Sequence, residues 1–325
     1  DLAKKYTHKH DKFVNAILRK ISQKNIIDED KKYIINSFPK WLKEVYIEDF
    51  GKKKAYEIIK YQMNKPTHWI RINKDKEKII TKLKLTNIKY ITSKDFDNYI
   101  NVQSINNDFI LENIRKGNMY IQNPSSKLIV DLLKINKEDC IVDACSGPGG
   151  KLSNIALSFS LKNKIIAYEI NKDRFIKTQI NLKRMKVKNV ILHNKDFVSC
   201  ENQKFDKILL DVPCSSTGTI NKNPDILIRR KNEDFTFFNK IQLQLLEKSI
   251  SLLNYNGCIL YSTCSINYKE NWFIIDKFLH KHSHFFIDNI ENDVPDKYID
   301  QRGALNILPN IHKLDGMFAV RIKRK

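Results

Sequence analysis

The sequence lacks several features that would assign it to common classes of protein. None of its six cysteines forms a C-x-x-C pair, which argues against a zinc site, and we expect no bound metal. It has no secretory signal peptide and no apolar run of about 18 residues, so we expect neither secretion nor a membrane span. In a reducing cytosol the cysteines should remain free thiols, and we expect a cytoplasmic location.

Acidic residues are also scarce. The 325 residues include 58 Lys and Arg against 37 Asp and Glu, a formal net charge of +21. This excess favours a polyanionic partner, a nucleic acid above all, although an AT-rich genome also enriches Lys, Asn and Ile and depletes Gly. Hydrophobic residues make up 42%, enough for a full core, and the length suggests two domains or three small ones.

Three regions differ in their hydrophobic pattern. Residues 1–65 have apolar residues at helical spacing, which predicts helices. Residues 66–120 have short apolar runs between polar stretches, which predicts a small α+β subdomain. Residues 121–325 alternate strand-like runs with helical stretches, which predicts an α/β, Rossmann-like domain with a doubly wound sheet. The predicted strands are 140–144, 164–168, 190–193, 207–210 and 258–262.

A glycine-rich run, Asp143-Ala-Cys-Ser-Gly-Pro-Gly-Gly-Lys151, follows the first of these strands and opens a helix. It matches neither G-x-G-x-x-G nor the P-loop, which argues against a dinucleotide or ATP. Glu169 and Asp196 follow the next two strands and could bind ribose hydroxyls and an adenine amino group. Each acid alone is more often a turn or cap residue. Their order along the strands nevertheless favours a nucleoside cofactor without polyphosphate, which fits S-adenosylmethionine.

Two cysteines, Cys214 and Cys264, follow the fourth and fifth strands, at the edge where open α/β sheets bind ligands. A buried cysteine is usually a small core residue, an interpretation that suits Cys140, Cys200 and Cys258. A thiolate that adds to carbon 6 of cytosine lets carbon 5 attack an electrophilic methyl group. A base must then remove the carbon 5 proton before the thiolate leaves. The pair therefore predicts methylation of cytosine at carbon 5.

Two further residues belong to this predicted site. Asp211 could hydrogen-bond ring N3 and favour the addition, and Lys151 could hold Asp211 in place. The target base must leave its stack to enter such a pocket, which favours single-stranded or loop RNA.

These motifs resemble those of the RNA cytosine-C5 methyltransferases of the Nol1/Nop2/Sun family. The matching runs are DACSGPGGK at 143–151, DVPCSSTG at 211–218, NPDI at 223–226, YSTCSINYKEN at 261–271 and, more weakly, DGMF at 315–318. The resemblance implies that Cys264 is the nucleophile, that Cys214 assists product release, and that Asp211 and Lys151 are catalytic. It implies cofactor contacts at Cys145, Ser146, Gly147, Pro148, Gly149, Gly150, Lys151, Glu169, Asp196 and Asp211.

The N-terminal segment is similar to bacterial members of the family that act on 16S ribosomal RNA. The runs KFVNAILR at 12–19, FPKW at 38–41 and HWIRIN at 68–73 carry this likeness. It implies that residues 1–65 hold the end of a NusB-like RNA-binding domain and its connecting helices. Because the chain begins at Asp1 without a methionine, we expect the start of that domain to be missing. The implied partner is 16S ribosomal RNA or a small-subunit assembly intermediate, and nothing indicates the oligomeric state.

Three positions depart from the family's pattern. Ser146-Gly147 stands where Ala-Ala is usual, and both residues are small enough for the turn. Glu169 stands where Asp is usual and keeps a carboxylate. Asn123 stands where Asp is common and has no carboxylate.

Other functions remain open. A DNA cytosine methyltransferase would share the chemistry but needs further motifs, and an amino-group methyltransferase would carry Asn/Asp-Pro-Pro-Tyr after the fourth strand. The substrate could be another ribosomal site or a tRNA. A non-catalytic RNA-binding assembly factor would share the charge but would not need both cysteines. Phosphate contacts are expected from Arg and Lys in the N-terminal helices, from Arg229 and Arg230, and from residues 321–325.

Overall fold

A computed structural model describes residues 10–23, 35, 37–201 and 203–325. The chain divides into two units, residues 1–37 and residues 38–325. In the first unit, α1 (Asp11–Gln23) forms at the predicted helical periodicity, with an acid in its first turn and a lysine in its last, as the helix dipole favours.

The second unit begins with two consecutive helices, α2 (Lys40–Phe50) and α3 (Lys52–Gln62). Gly51, at φ 75°, separates them in a backbone conformation that suits glycine. Leu42 and Ile58 are fully buried on the inner sides of the two helices. Both helices lie within the region 1–65 that periodicity predicted to be helical. The predicted NusB-like identity of that region, and the predicted boundaries near residues 65 and 120, stay predictions.

A small antiparallel sheet follows, with strand order β2-β3-β1-β4. Its strands are β1 (His68–Ile72), β2 (Tyr90–Ser93), β3 (Phe96–Val102) and β4 (Met119–Ile121). The helices α4 (Lys76–Leu85) and α5 (Asp108–Arg115) connect them. Apolar residues from both helices and three strands form one core there, including Ile70, Leu83, Ile100 and Ile110. This is the small α+β fold predicted for the region.

The large sheet has the order β7-β6-β5-β8-β9-β12-β10, with β11 also paired to β12. Its strands are β5 (Ile141–Asp143), β6 (Ile165–Tyr168), β7 (Val190–His193), β8 (Phe205–Asp211), β9 (Leu253–Thr263), β10 (Phe285–Ile287), β11 (Leu305–Ile307) and β12 (Met317–Arg324). The helices are α6 (Ser125–Asp131), α7 (Gly150–Ser158), α8 (Lys172–Arg184), α9 (Ile226–Arg229), α10 (Asp234–Leu252), α11 (Trp272–Lys281) and α12 (Pro309–His312).

Strands β5 to β9 are mutually parallel, as the alternating pattern predicted, whereas β12 runs antiparallel to β9. The strand order reverses on either side of β5, because β6 lies to one side and β8 to the other. In open α/β sheets such a reversal leaves a crevice at the carboxyl ends of the strands. The loops after β5, β8 and β9 meet there.

The sequence did not predict β10, β11 or β12, and this led to one error. Arg321, expected to contact phosphate, is 2% exposed within β12. It is ion-paired with Asp288 and Asp293 and donates to the carbonyl oxygen of Leu132 at 2.9 Å. The prediction for Arg321 is wrong, because these ion pairs neutralise its charge inside the protein and leave its side chain out of reach of a phosphate. Among the described residues, no helix combines the length and apolar character needed to cross a membrane.

Candidate active site

The predicted thiol pair meets in one place. Sγ of Cys214, after β8, lies 3.3 Å from Sγ of Cys264, after β9. The two loops meet because β8 and β9 are adjacent and parallel, with Asp211 opposite Ser262 in register. Both cysteines are free thiols.

The surroundings distinguish the two sulfurs. The hydrogen bond from Cys214 lowers the pKa of Cys264. The Ser216 hydroxyl at 3.3 Å and the charge of Lys151 act in the same direction, whereas burial and the charge of Asp211 act against them. The same hydrogen bond and burial raise the pKa of Cys214 well above its ordinary value. Cys264 is therefore the thiol that ionises more readily, while Cys214 retains its proton as a donor.

Lys151 and Asp211 form an ion pair at the same edge of the sheet. Nζ of Lys151 lies 2.7 Å from Oδ2 of Asp211, and the Ser262 hydroxyl is 3.1 Å from Oδ1. Burial works to lower the pKa of Lys151, but the charge of Asp211 and their hydrogen bond outweigh it and raise that pKa. The pair is thus charged and fixed, and Lys151 brings a positive charge close to Cys264.

The glycine loop is fastened to Glu169. The backbone N–H of Gly147 donates to Oε2 of Glu169 at 2.9 Å, and the N–H of Asn171 donates to Oε1 at 2.9 Å. The Ser146 hydroxyl donates to the carbonyl oxygen of Tyr168 at 3.1 Å. A buried carboxylate that accepts from the loop therefore orients the loop beside the end of β6.

Two cavities flank this loop. One of about 250 Å³ is lined by Glu169, Asp196 and apolar side chains that include Phe197 and Leu245. The other, about 200 Å³, is lined by the loop itself and by charged side chains, among them Lys151 and Asp211. An apolar cavity with one buried acid suits a nucleoside, and the adjoining charged cavity suits an amino-acid group. The residues that line the two cavities therefore fit S-adenosylmethionine.

Most of the predicted cofactor residues line one or both cavities, and Cys145 lines both. Gly149 lines neither cavity. It precedes α7 with φ 95°, and a Cβ atom added there would lie 3.1 Å from Cγ2 of Thr178. Asp196 lines the larger cavity, and its Oδ1 also caps the backbone N–H of Val198 at 3.0 Å, so the cap interpretation holds as well. Cys214 and Cys264 line neither of these two cavities.

Three neighbouring groups were missed by the sequence reasoning. Asp143 lines the smaller cavity, and burial, with the charge of Asp211 added, raises its pKa to about 7. Ser216 and Ser262 contact Cys264 and Asp211 through their hydroxyls. All three lie inside the quoted motifs, but a serine or an acid in a turn has no distinctive signal of its own.

Comparison with known proteins gives one family. The family described as "16S rRNA methyltransferase RsmB/F" matches residues 130–323, more than half of the chain. The chain is 30% identical to the ribosomal RNA small subunit methyltransferase B of Photorhabdus laumondii over 88% of its own length and 66% of that protein. It is 27% identical to the probable ribosomal RNA small subunit methyltransferase B of Bacillus subtilis, over 96% and 74%.

Solved structures share the fold. NSun6 from Pyrococcus horikoshii, solved with SFG, superposes with a TM-score of 0.77 at 22% identity, covering 89% of this chain and 98% of that one. A methyltransferase homolog protein from Pyrococcus horikoshii superposes with a TM-score of 0.75 at 24% identity, covering 91% and 98%. At these identities the likeness establishes the Rossmann-like methyltransferase fold.

Proposed function

Because the chain belongs to the 16S rRNA methyltransferase RsmB/F family, of the Nol1/Nop2/Sun class, we propose that it methylates carbon 5 of a cytosine in 16S ribosomal RNA. Enzymes of this family use S-adenosylmethionine, which supplies the electrophilic methyl group when bound. The observation that carries the proposal is the contact of Cys214 and Cys264 at 3.3 Å, in which Cys264 is the thiol whose pKa is lowered and whose sulfur lies 3.3 Å from the Ser216 hydroxyl. Addition to a cytosine ring requires one thiolate, and release requires help from a second group, for which the Cys214 thiol is available.

Cys264 begins the reaction as a thiolate that adds to carbon 6 of the target base. The Cys214 thiol and the Ser216 hydroxyl stabilise that thiolate beforehand by hydrogen bonds. Addition makes carbon 5 nucleophilic, and carbon 5 then takes the methyl group. Asp211, fixed by Lys151 and Ser262, is the group assigned to ring N3. Its carboxylate accepts a hydrogen bond from N3–H once that nitrogen has taken a proton from solvent, which favours the addition.

Cys214 assists the second half of the reaction. The carbon 5 proton must leave as an electron pair returns to the ring and the bond from Cys264 to carbon 6 breaks. A base takes the carbon 5 proton, and Cys264 leaves carbon 6 as a thiolate. Cys214 lies 3.3 Å from the departing sulfur, so its retained S–H can stabilise that thiolate by a hydrogen bond. Once the base has released its proton to solvent, the enzyme is back at its starting state, with Cys264 as the thiolate and Cys214 as the thiol.

The choice of RNA follows from the relatives. Two proteins that align with nearly the whole of this chain are named for the small ribosomal subunit. The net charge of +21 suits contact with many phosphates. We therefore assign 16S ribosomal RNA, free or in an assembling subunit, as the substrate.

Methyl transfer from labelled S-adenosylmethionine tests this proposal. The RNAs compared are a 16S ribosomal transcript, a 23S ribosomal transcript and bulk tRNA, with nucleoside analysis of the product. Label recovered as 5-methylcytidine in the 16S transcript is the expected result. Label in tRNA alone would replace the substrate, and label in a different nucleoside would overturn the chemistry.

A further inference from the structure

Helix α2 holds the loop that follows Cys264. Asp49, near the end of that helix, accepts two hydrogen bonds at Oδ2. One comes from the side-chain amide of Asn267 at 3.0 Å and the other from the backbone N–H of Tyr268 at 3.1 Å. The far end of the Cys264 loop is thus tied to a helix outside the large sheet.

Helix α3 holds the loop that follows Cys214. Gln62 Nε2 donates to the carbonyl oxygen of Thr217 at 2.6 Å. The hydroxyl of Tyr46 lies 3.2 Å from the same oxygen and 3.1 Å from Oε1 of Gln62. Gln62 is 2% exposed, and Tyr46 and Thr217 are fully buried. Breaking such bonds leaves unpaired polar groups away from water, so they favour one loop arrangement.

The two loops are also joined to each other. The Thr217 hydroxyl donates to Oδ1 of Asn267 at 2.7 Å, and the backbone N–H of Ile266 lies 3.3 Å from the same hydroxyl oxygen. Hydrogen bonds therefore run without a break from Asp49 through Asn267 and Thr217 to Gln62. This path crosses both cysteine loops and ends on both helices.

We propose that Asp49 and Gln62 are positioning residues, which hold the two cysteine loops at the separation that keeps Cys214 in hydrogen-bond contact with Cys264. The inference rests on the proposed function, since it takes Cys264 as the nucleophile. Neither positioning residue touches the sulfurs or the cavities beside the glycine loop. They act by fixing the distance over which Cys214 stabilises the thiolate, and hydrogen-bond strength falls steeply with distance.

The test compares four variants of the full chain. Asp49→Ala removes both hydrogen bonds from α2 to the Cys264 loop. Gln62→Met removes the hydrogen bond from α3 to the Cys214 loop. Asp49→Asn keeps an oxygen acceptor, and because both bonds of Asp49 end on one oxygen, it should behave as wild type. Glu48→Ala, at an exposed position of the same helix, is the matched control. The readouts are the pH midpoint of Cys264 alkylation by iodoacetamide, followed by peptide mass spectrometry, and kcat and affinity for the 16S transcript.

Asp49→Ala and Gln62→Met should move the alkylation midpoint to higher pH and lower kcat roughly 10- to 100-fold, the scale of an ångström-sized misplacement. RNA affinity should not change, and Asp49→Asn and Glu48→Ala should match wild type. A lower melting temperature with a wild-type midpoint and kcat would reduce the two residues to structural supports and overturn the inference. If wild type makes no 5-methylcytidine, the proposed function fails, while the alkylation midpoints still decide the positioning role.

Discussion

Gly147 and Glu169 fit each other as a pair. A Cβ atom added at Gly147 would lie 2.3 Å from Oε2 of Glu169, the oxygen that accepts the Gly147 N–H. Both residues depart from the family's usual Ala and Asp at these positions. The longer acid occupies the space that the missing methyl group leaves, so the two departures compensate each other.

This compensation predicts coupled effects of substitution. Gly147→Ala should weaken S-adenosylmethionine binding because the methyl group collides with the Glu169 carboxylate. The same change should cost less in a Glu169→Asp background, with a coupling energy of about 1 kcal/mol, within the range of contacting residues. Rescue should be partial, since the Cβ would also lie 2.8 Å from Cβ of Arg174. Calorimetric titration of the four proteins measures the coupling, and strictly additive effects would refute it.

The thiol pair predicts how the alkylation of Cys264 depends on pH. The Cys214 hydrogen bond lowers the pKa of Cys264, so Cys214→Ala should move the midpoint of Cys264 alkylation to higher pH. Cys214→Ser keeps an O–H donor and should shift the midpoint less. Alkylation rates of the Cys264 peptide across a pH series give the midpoints. Equal midpoints in wild type and Cys214→Ala would show that Cys214 does not tune the nucleophile.

The raised pKa of Asp143 predicts that the stability of the protein changes with pH. Its folded pKa of about 7 lies above the ordinary unfolded value of roughly 3.9. The folded state therefore binds this proton more tightly, and the protein loses stability as pH rises through that window. Asp143→Asn removes the loss, so its melting temperature should exceed that of wild type at about pH 8 and approach it at about pH 4. Thermal melts across the range test this; a constant difference would contradict it.

Substitution of Arg321 should lower the stability of the fold, whereas substitution of Arg229 should change only the salt dependence of RNA binding. Arg321→Met should destabilise the fold by about 1.5–3 kcal/mol, because Asp288 and Asp293 lose the charged hydrogen bonds of the buried guanidinium and each keeps only a lysine, Lys323 and Lys134. Arg229→Ala, whose side chain is 53% exposed, should leave stability unchanged and lower the salt dependence of RNA binding by about one unit of slope. Urea unfolding and binding at several salt concentrations separate the two. A loss of salt slope in Arg321→Met without destabilisation would restore Arg321 as a phosphate contact.

Local patterns were enough to predict the parallel strands and the motif loops. The run at 190–193 became β7 without change, and the cysteine loops lie where strand order required. Helix α2 lies in the region predicted to be helical, but its hydrogen bonds to the Cys264 loop were not predicted, because Asp49 and Asn267 are 218 positions apart in the sequence. Arg321 misled for a related reason: the acids that neutralise it are distant in sequence, so only the folded chain shows them. Long-range polar pairing leaves no local periodicity to detect.

In the proposed reaction Cys264 attacks the base and Cys214 assists its release. The direct test is a denaturing gel of wild type, Cys214→Ala and Cys264→Ala, each incubated with 16S transcript and S-adenosylmethionine. Cys214→Ala should run as a covalent protein–RNA complex, wild type should turn over without accumulating one, and Cys264→Ala should give neither complex nor 5-methylcytidine. Methylation by Cys264→Ala, or a complex that persists in Cys264→Ala, would show that Cys264 is not the nucleophile.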